Sequence, residues 1–293
     1  MKFRHFFEKL YKKHFNFNKI KNKKKFKESL KFEICTQILP RLEFSYLDEW
    51  IQHHLDIGFD KISIFNNGFR SITDSKNKIE QSKLPVADNL KKSVWSKKPH
   101  ADYFLEYSDE EISEKIKKIK IKFKNKIEVI NWEYGKNHYL KYPSSQKASI
   151  KQAQTNNELN NNFLLSIDPD EFVFIPNNQK IDEVILPYFY QGFSVFYFSQ
   201  RIFQKRERNK AVLDNFKWGY DIKVFKSLCY GAISCFDIHT PTPINGKIKT
   251  LKPNIARINH YRGSPKHLND PKHKTFKNIK FNKFDDSAKK KIL

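Results

Sequence analysis

The sequence predicts an α/β protein with a mostly parallel, doubly wound sheet and a smaller mixed α/β half. Three observations lead there. Strand-like and helix-like segments alternate over residues 32–170, the pattern of strands joined by crossover helices. Hydrophobic residues make up 39% of the 293, with 27 Phe and 13 Tyr, which is ample material for a core. Two apolar runs flank an acidic tetrapeptide in LLSIDPDEFVFIP, Leu164–Pro176, which reads as a buried strand feeding a polar site.

The elements follow in order. Phe32–Leu39 reads as the first strand, and Pro40 ends it. A helix is expected over Glu43–Ile57, because Phe44, Leu47, Ile51 and Leu55 fall on one face, with Gly58 as its stop. Lys61–Phe65 reads as a strand closed by the turn Asn66-Asn67-Gly68. Residues 69–110 are polar and irregular. A helix over Ile112–Phe123, a strand over Ile127–Trp132 and a polar helix over Ser144–Leu159 lead to the strand Phe163–Ile167. A helix at Asp182–Tyr190 and an aromatic strand at Phe193–Phe203 come next. Shorter strands are expected near Ile222–Phe225, Ile233–His239 and Ile255–Asn259. Residues 1–31 form a basic amphipathic or disordered tail, 32–265 the folded domain (halves 32–176 and 177–265), and 266–293 a basic tail or helix.

Composition excludes several function classes. Only 8 Gly occur, and neither GxGxxG nor GxxxxGK[ST] is present, so dinucleotide and P-loop phosphate cradles lack their mechanism. Cys35, Cys229 and Cys235 form no CxxC pair, which argues against a disulfide framework or zinc site and for a reducing, cytoplasmic setting. No run of 18 uninterrupted apolar residues is present and the start lacks a signal-peptide core, so no transmembrane helix is expected.

The net charge of +24 must attract polyanions. Residues 1–31 hold 12 Lys and Arg against Glu8 and Glu28, and Phe3, Phe6, Phe7, Leu10 and His14 recur at helical spacing. Such a segment either lies on an anionic membrane surface, making the protein peripheral on the inner face, or is a solvated tail. No zinc-finger, KH or RNP motif accompanies the charge, so a specific nucleic-acid partner is not expected.

In a doubly wound sheet, ligands bind outside the carboxyl ends of the strands. Leu39–Glu43, Asn66-Asn67 and Asp168–Asp170 should therefore line one crevice. If 168–171 is extended, Asp168 and Asp170 share one face and Glu171 points to the other. Two carboxylates at a strand end can hold a hard divalent cation, Mn²⁺ or Mg²⁺.

The run RLEFSYLDEWIQHHLDIGFDKISIFNN resembles the N-terminal signature of glycosyltransferase family 92 and its bacterial relatives. Glu43, Tyr46, Leu47, Glu49, Trp50, Ile51, His54, Gly58 and Asn67 fit it. Gln146 fits the Gln that precedes the Asp-x-Asp-Glu-Phe strand, and Asp168, Asp170, Glu171 and Phe172 match that motif. Lys226-Ser227, His239 and His260-Tyr261 with Ser264 resemble the later segments, Gly263 replacing a Lys. The segments run in order over residues 33–275. The chain departs from the pattern at Leu42 (usually Asn), Asn66 (usually Asp) and Pro169 (usually aliphatic).

The resemblance implies a GT-A-like fold and an inverting, metal-dependent transfer of a sugar from a nucleotide-sugar donor to a glycan or glycolipid hydroxyl, as in cell-surface polysaccharide or lipopolysaccharide synthesis. It places Asp168 and Asp170 on the metal, completed by His239, with His260 as competitor. Glu43, Asn66, Asn67 and Lys226 become candidate contacts to the nucleotide. Glu171 is a weak candidate for the catalytic base and otherwise anchors a basic neighbour. Two other readings stand beside this one: a basic nucleic-acid-binding protein, and a degenerate, non-catalytic transferase fold suggested by Asn66 and Pro169.

Overall fold

The structure, a computed structural model, describes residues 28–38, 46–66, 109–132, 149–150, 152–153, 162–203, 218–231, 246–261 and 283–284. The expected strand Ile233–His239, the tail 1–27, most of the tail 266–293 and the site candidates Glu43, Asn67 and His239 lie outside the described residues.

The first half alternates β1 (Phe32–Ile38), α1 (Leu47–Asp56), β2 (Lys61–Asn66), α2 (Asp109–Lys122), β3 (Ile127–Asn131) and β4 (Phe163–Ser166). These four strands are parallel and lie in the order β3-β2-β1-β4. The second half contributes β5 (Glu171–Phe174), a 3₁₀ turn at Pro176–Asn178, α3 (Ile181–Phe189), β6 (Phe193–Phe203), β7 (Trp218–Tyr230), β8 (Lys247–Thr250), β9 (Arg257–Tyr261) and β10 (Lys283–Phe284). Its strands extend the same sheet beyond β4 as β7-β6-β9-β5, with antiparallel β4–β7, β6–β7 and β5–β9 pairs.

Strand alternation decides which residue goes to which face. Ile34, Ile62, Ile64, Phe163 and Leu165 point to the main core with α1, α2 and α3. Cys35, Phe65 and Leu164 point to the other face, where Ile150 and Ala153 cover them. Both faces of the parallel half are therefore covered, as a doubly wound sheet requires. The chain steps outward from β1 to β3, then returns to place β4 on the far side of β1. The topological switch point lies between β1 and β4, where such sheets open a crevice at the strand carboxyl ends.

Some expected boundaries shift. α1 begins at Leu47, not Glu43, with Tyr46 as its flanking residue. β7 runs for 13 residues instead of the short Ile222–Phe225, because it pairs along its length with β6 and also with β4. β9 starts at Arg257, two residues later than expected, where pairing with β5 begins.

Phe163 anchors the junction of the two halves. Its ring stacks on Phe32 at 4.6 Å and meets Phe189 at 5.0 Å and Tyr230 at 4.9 Å. Phe163→Ala should lower unfolding free energy by about 3–5 kcal/mol in urea titration. A loss below about 1 kcal/mol would contradict this packing.

Candidate functional site

Asp168–Glu171 is a turn, not an extended strand. The Glu171 N–H donates to the Asp168 carbonyl at 3.0 Å, closing four residues. Pro169 sits second in that turn, where its fixed φ is favoured and its missing N–H costs nothing. The expectation that Asp168 and Asp170 share a strand face while Glu171 points away is thus corrected. The turn folds Glu171 back, and its Oε2 accepts the Asp168 N–H at 2.9 Å.

Glu171 is the hub of the site, with its side chain 1% exposed. Lys226 on β7 places its ammonium 2.9 Å from Glu171 and 3.1 Å from Asp168. Gln200 on β6 donates to the other Glu171 oxygen at 3.0 Å. His260 on β9, the register partner of Glu171, brings Nε2 to 3.2 Å from Asp170 and Nδ1 to 3.7 Å from Glu171. Lys226 is therefore neither a solvated lysine nor a free phosphate contact. It is a buried counter-ion, and Glu171 is its anchor. With both oxygens engaged in the interior, Glu171 is a poor proton acceptor for a substrate hydroxyl.

The charges explain the titration. Burial pushes the Glu171 carboxyl up more than Lys226 pulls it down. Burial works against the Lys226 ammonium, but Asp168 and then Glu171 outweigh it and hold its pKa above the ordinary lysine value. Three carboxylates, those of Asp168, Asp170 and Glu171, gather around Lys226 and His260. Glu171 and Lys226 are sealed, whereas Asp168 and Asp170 are 30% and 26% exposed. The two aspartates thus present hard oxygen donors towards solvent, which suits a divalent cation in sign and donor type. Among the described residues no three His, Cys, Asp or Glu side chains already converge as a ligand set.

Asn66 ends β2 and is 2% exposed, yet among the described residues neither its amide oxygen nor its amide nitrogen has a hydrogen-bond partner. Leaving such a group unpaired costs about 1–3 kcal/mol. Register places it level with the acidic turn: Asn66 aligns with Ile38, and Cys35, three residues earlier, aligns with Ser166. Two strand spacings, roughly 10 Å, separate β2 from β4. Asn66 and the turn therefore stand at one edge of the sheet, one on each side of the switch point.

Sequence reasoning missed two groups. Gln200 was readable as an amide inside the otherwise aromatic strand β6. The hydrogen-bonding role of Trp50, His53 and His54 was the other: Trp50 and His54 entered only as matches to the signature, yet the three stand at i, i+3 and i+4 on one face of α1. The buried thiols are not nucleophile candidates: burial pushes Cys35 up to about 12 and Cys229 higher still.

No family model matches the chain, and no curated protein matches it. Among solved structures, a UDP-glucose pyrophosphorylase from Acinetobacter baumanii aligns over 80% of this chain and 87% of its own, at 10% identity and a TM-score of 0.32. That likeness is too slight to carry a functional argument.

Lys226→Met keeps the side-chain length and strands Glu171 without its counter-charge. Urea titration at about pH 8 should show a loss of about 3–5 kcal/mol. Because the folded-state pKa of Glu171 is raised, its protonation favours the fold, and that contribution is lost as pH rises. The variant should therefore regain stability as pH is lowered towards about 5. An equal deficit at both pH values would contradict the assignment.

Proposed function

We propose that the chain is a glycosyltransferase that moves a sugar from a nucleotide-sugar donor to a hydroxyl of a glycan or glycolipid. The observation that carries this reading is the acidic turn with two partly exposed aspartates, level with the Asn66 amide across the switch point. The spacing between them is comparable to the span of a nucleoside diphosphate from base to terminal phosphate. Asp168 and Asp170 hold Mn²⁺ or Mg²⁺, with His260 as the described candidate for a third ligand. Such a cation supplies positive charge to a departing diphosphate. Lys226 and Glu171 fix the turn in place. Asn66 offers one donor and one acceptor to the nucleoside, where a carboxylate would only accept.

Association with an anionic membrane belongs to the same proposal. Lys117, Lys118, Lys120, Lys122, Lys124 and Lys126 are all exposed around Ile121, itself 69% exposed. Basic side chains around an apolar tip suit a lipid headgroup surface. Among the described residues no helix is long and apolar enough to cross a membrane.

The test is transfer or hydrolysis with a panel of nucleotide-sugars in Mn²⁺, with and without EDTA. Asp170→Asn should reduce turnover by at least about a hundredfold while the melting temperature holds, and EDTA should do the same to the unaltered chain. Full activity in EDTA would refute the metal, and no reaction or binding with any nucleotide-sugar would refute the transferase reading. Asn66→Leu should move stability and binding in opposite directions. Removing two unpaired polar atoms raises stability by about 1 kcal/mol, while nucleotide affinity falls about tenfold or more. A destabilised Asn66→Leu protein would mean that the amide serves the fold.

A further inference from the structure

We propose that Trp50, His53 and His54 are positioning residues, a three-pronged clamp by which α1 fixes the backbone immediately following the acidic turn. Among the described residues β5 is the last strand on its side of the sheet, with β9 as its neighbour. An unpaired strand edge exposes N–H and C=O groups that burial would leave unsatisfied. Here the outer edge is satisfied by side chains of a helix. Trp50 Nε1 donates to the Glu171 carbonyl at 2.7 Å. His53 Nε2 bonds the Val173 carbonyl at 2.8 Å. The Val173 N–H donates to His54 Nε2 at 3.2 Å.

The chemistry of each prong is fixed by its partners. His53 bonds a carbonyl, so its Nε2 carries the hydrogen. His54 must present an Nε2 lone pair to the Val173 N–H. Its Nδ1 therefore carries the hydrogen, and it donates to the Trp50 carbonyl at 2.8 Å. That bond ties the His54 ring back to its own helix one turn earlier. The residues at 50, 53 and 54 share one helix face, and 171 and 173 share one strand edge. Two periodicities meet, and one face meets one edge. Phe172 packs between, 5.2 Å from His53 and 5.8 Å from His54.

The consequence concerns the site. Glu171 is the first residue of β5 and the last of the turn. Its side chain grips Lys226, and its carbonyl is held by Trp50. Asp170, one residue earlier, is tied to β9 through its carbonyl, which accepts the Tyr261 N–H at 2.8 Å. The turn is therefore clamped from α1 on one side and β9 on the other. α1 follows β1 in the chain, and β1 borders the switch point, so the clamp ties the turn to an element next to the crevice. That role rests on the proposed metal and nucleotide site, whereas the clamp itself does not.

The experiment uses the full chain and three variants. Trp50→Phe keeps a ring and removes the N–H. His54→Leu removes the acceptor. His54→Gln places an amide oxygen where Nε2 stood. Amide hydrogen exchange is followed by mass spectrometry over residues 164–174, and Mn²⁺ affinity is measured by calorimetry without substrate. Trp50→Phe and His54→Leu should speed exchange in that segment about tenfold and weaken Mn²⁺ binding by a similar factor, the equilibrium worth of one buried hydrogen bond. His54→Gln should stay within about twofold of the unaltered chain on both readouts. Unchanged exchange at the turn in both disruptive variants overturns the clamp. Faster exchange with unchanged Mn²⁺ affinity overturns the positioning role and leaves a purely structural contact. If the unaltered chain binds no Mn²⁺, the metal reading fails, and the exchange result still decides the clamp. If His54→Leu does not fold, His54→Asn takes its place, since its shorter amide keeps the Trp50 bond without reaching Val173.

Discussion

The buried pair Glu171–Lys226 is the constraint on which the rest of the site depends. A carboxylate with 1% side-chain exposure is tolerable only beside an ammonium and further hydrogen-bond donors. Meeting that demand brings together four separate segments. The turn supplies the carboxylate, β7 the ammonium, β6 an amide through Gln200, and β9 an imidazole through His260. Because β7 also pairs with β4, the strand leading into the turn and the lysine neutralising it belong to adjacent rungs of one sheet. The pair thus joins the parallel and antiparallel halves chemically where the sheet joins them geometrically.

Sealing one carboxylate also sets the charge of its neighbours. Lys226 is shared between Glu171 and Asp168 and cannot fully neutralise both. The two aspartates, unlike Glu171, retain access to solvent. A site with three carboxylates and no internal cation would resist folding, and one with three cations would have no charge left for a ligand. The arrangement lies between those limits. The turn geometry also suits Pro169, which occupies the position in which proline is preferred.

Much of the fold was legible because its parallel half obeys simple periodicities. β1, β2, β3 and β4 lie within a residue or two of the apolar runs that predict them, and α1 and α2 follow their i, i+3, i+4 stripes. β7 was not legible at full length, since WGYDIKV gives no strong alternation and its extent depends on partners far away in sequence. The acidic turn was found by composition and misread in conformation. Alternation of side chains applies only to extended backbone, and Asp-Pro-Asp-Glu is also good turn sequence. Lys226 was singled out, but nothing local in KVFKSLCY states that its side chain is 3% exposed. Burial of a lysine is set by distant carboxylates, and these are 55 and more residues away along the chain.

Asn66 shows what a cost left in a fold can mean. Native interiors seldom leave both ends of a buried amide unpaired. Here the cost sits at the carboxyl end of a parallel strand, level with the acidic turn. Alone, the unpaired amide is a defect that a leucine would repair. The amide and the turn face one edge of the sheet, on either side of the point where its winding reverses. A molecule bearing a polar heterocycle at one end and a metal-bound diphosphate at the other would satisfy both. Repairing the amide in the protein itself would stabilise the fold and remove that reason to bind. The unpaired amide of the crevice therefore says more about what it would bind than its satisfied contacts do.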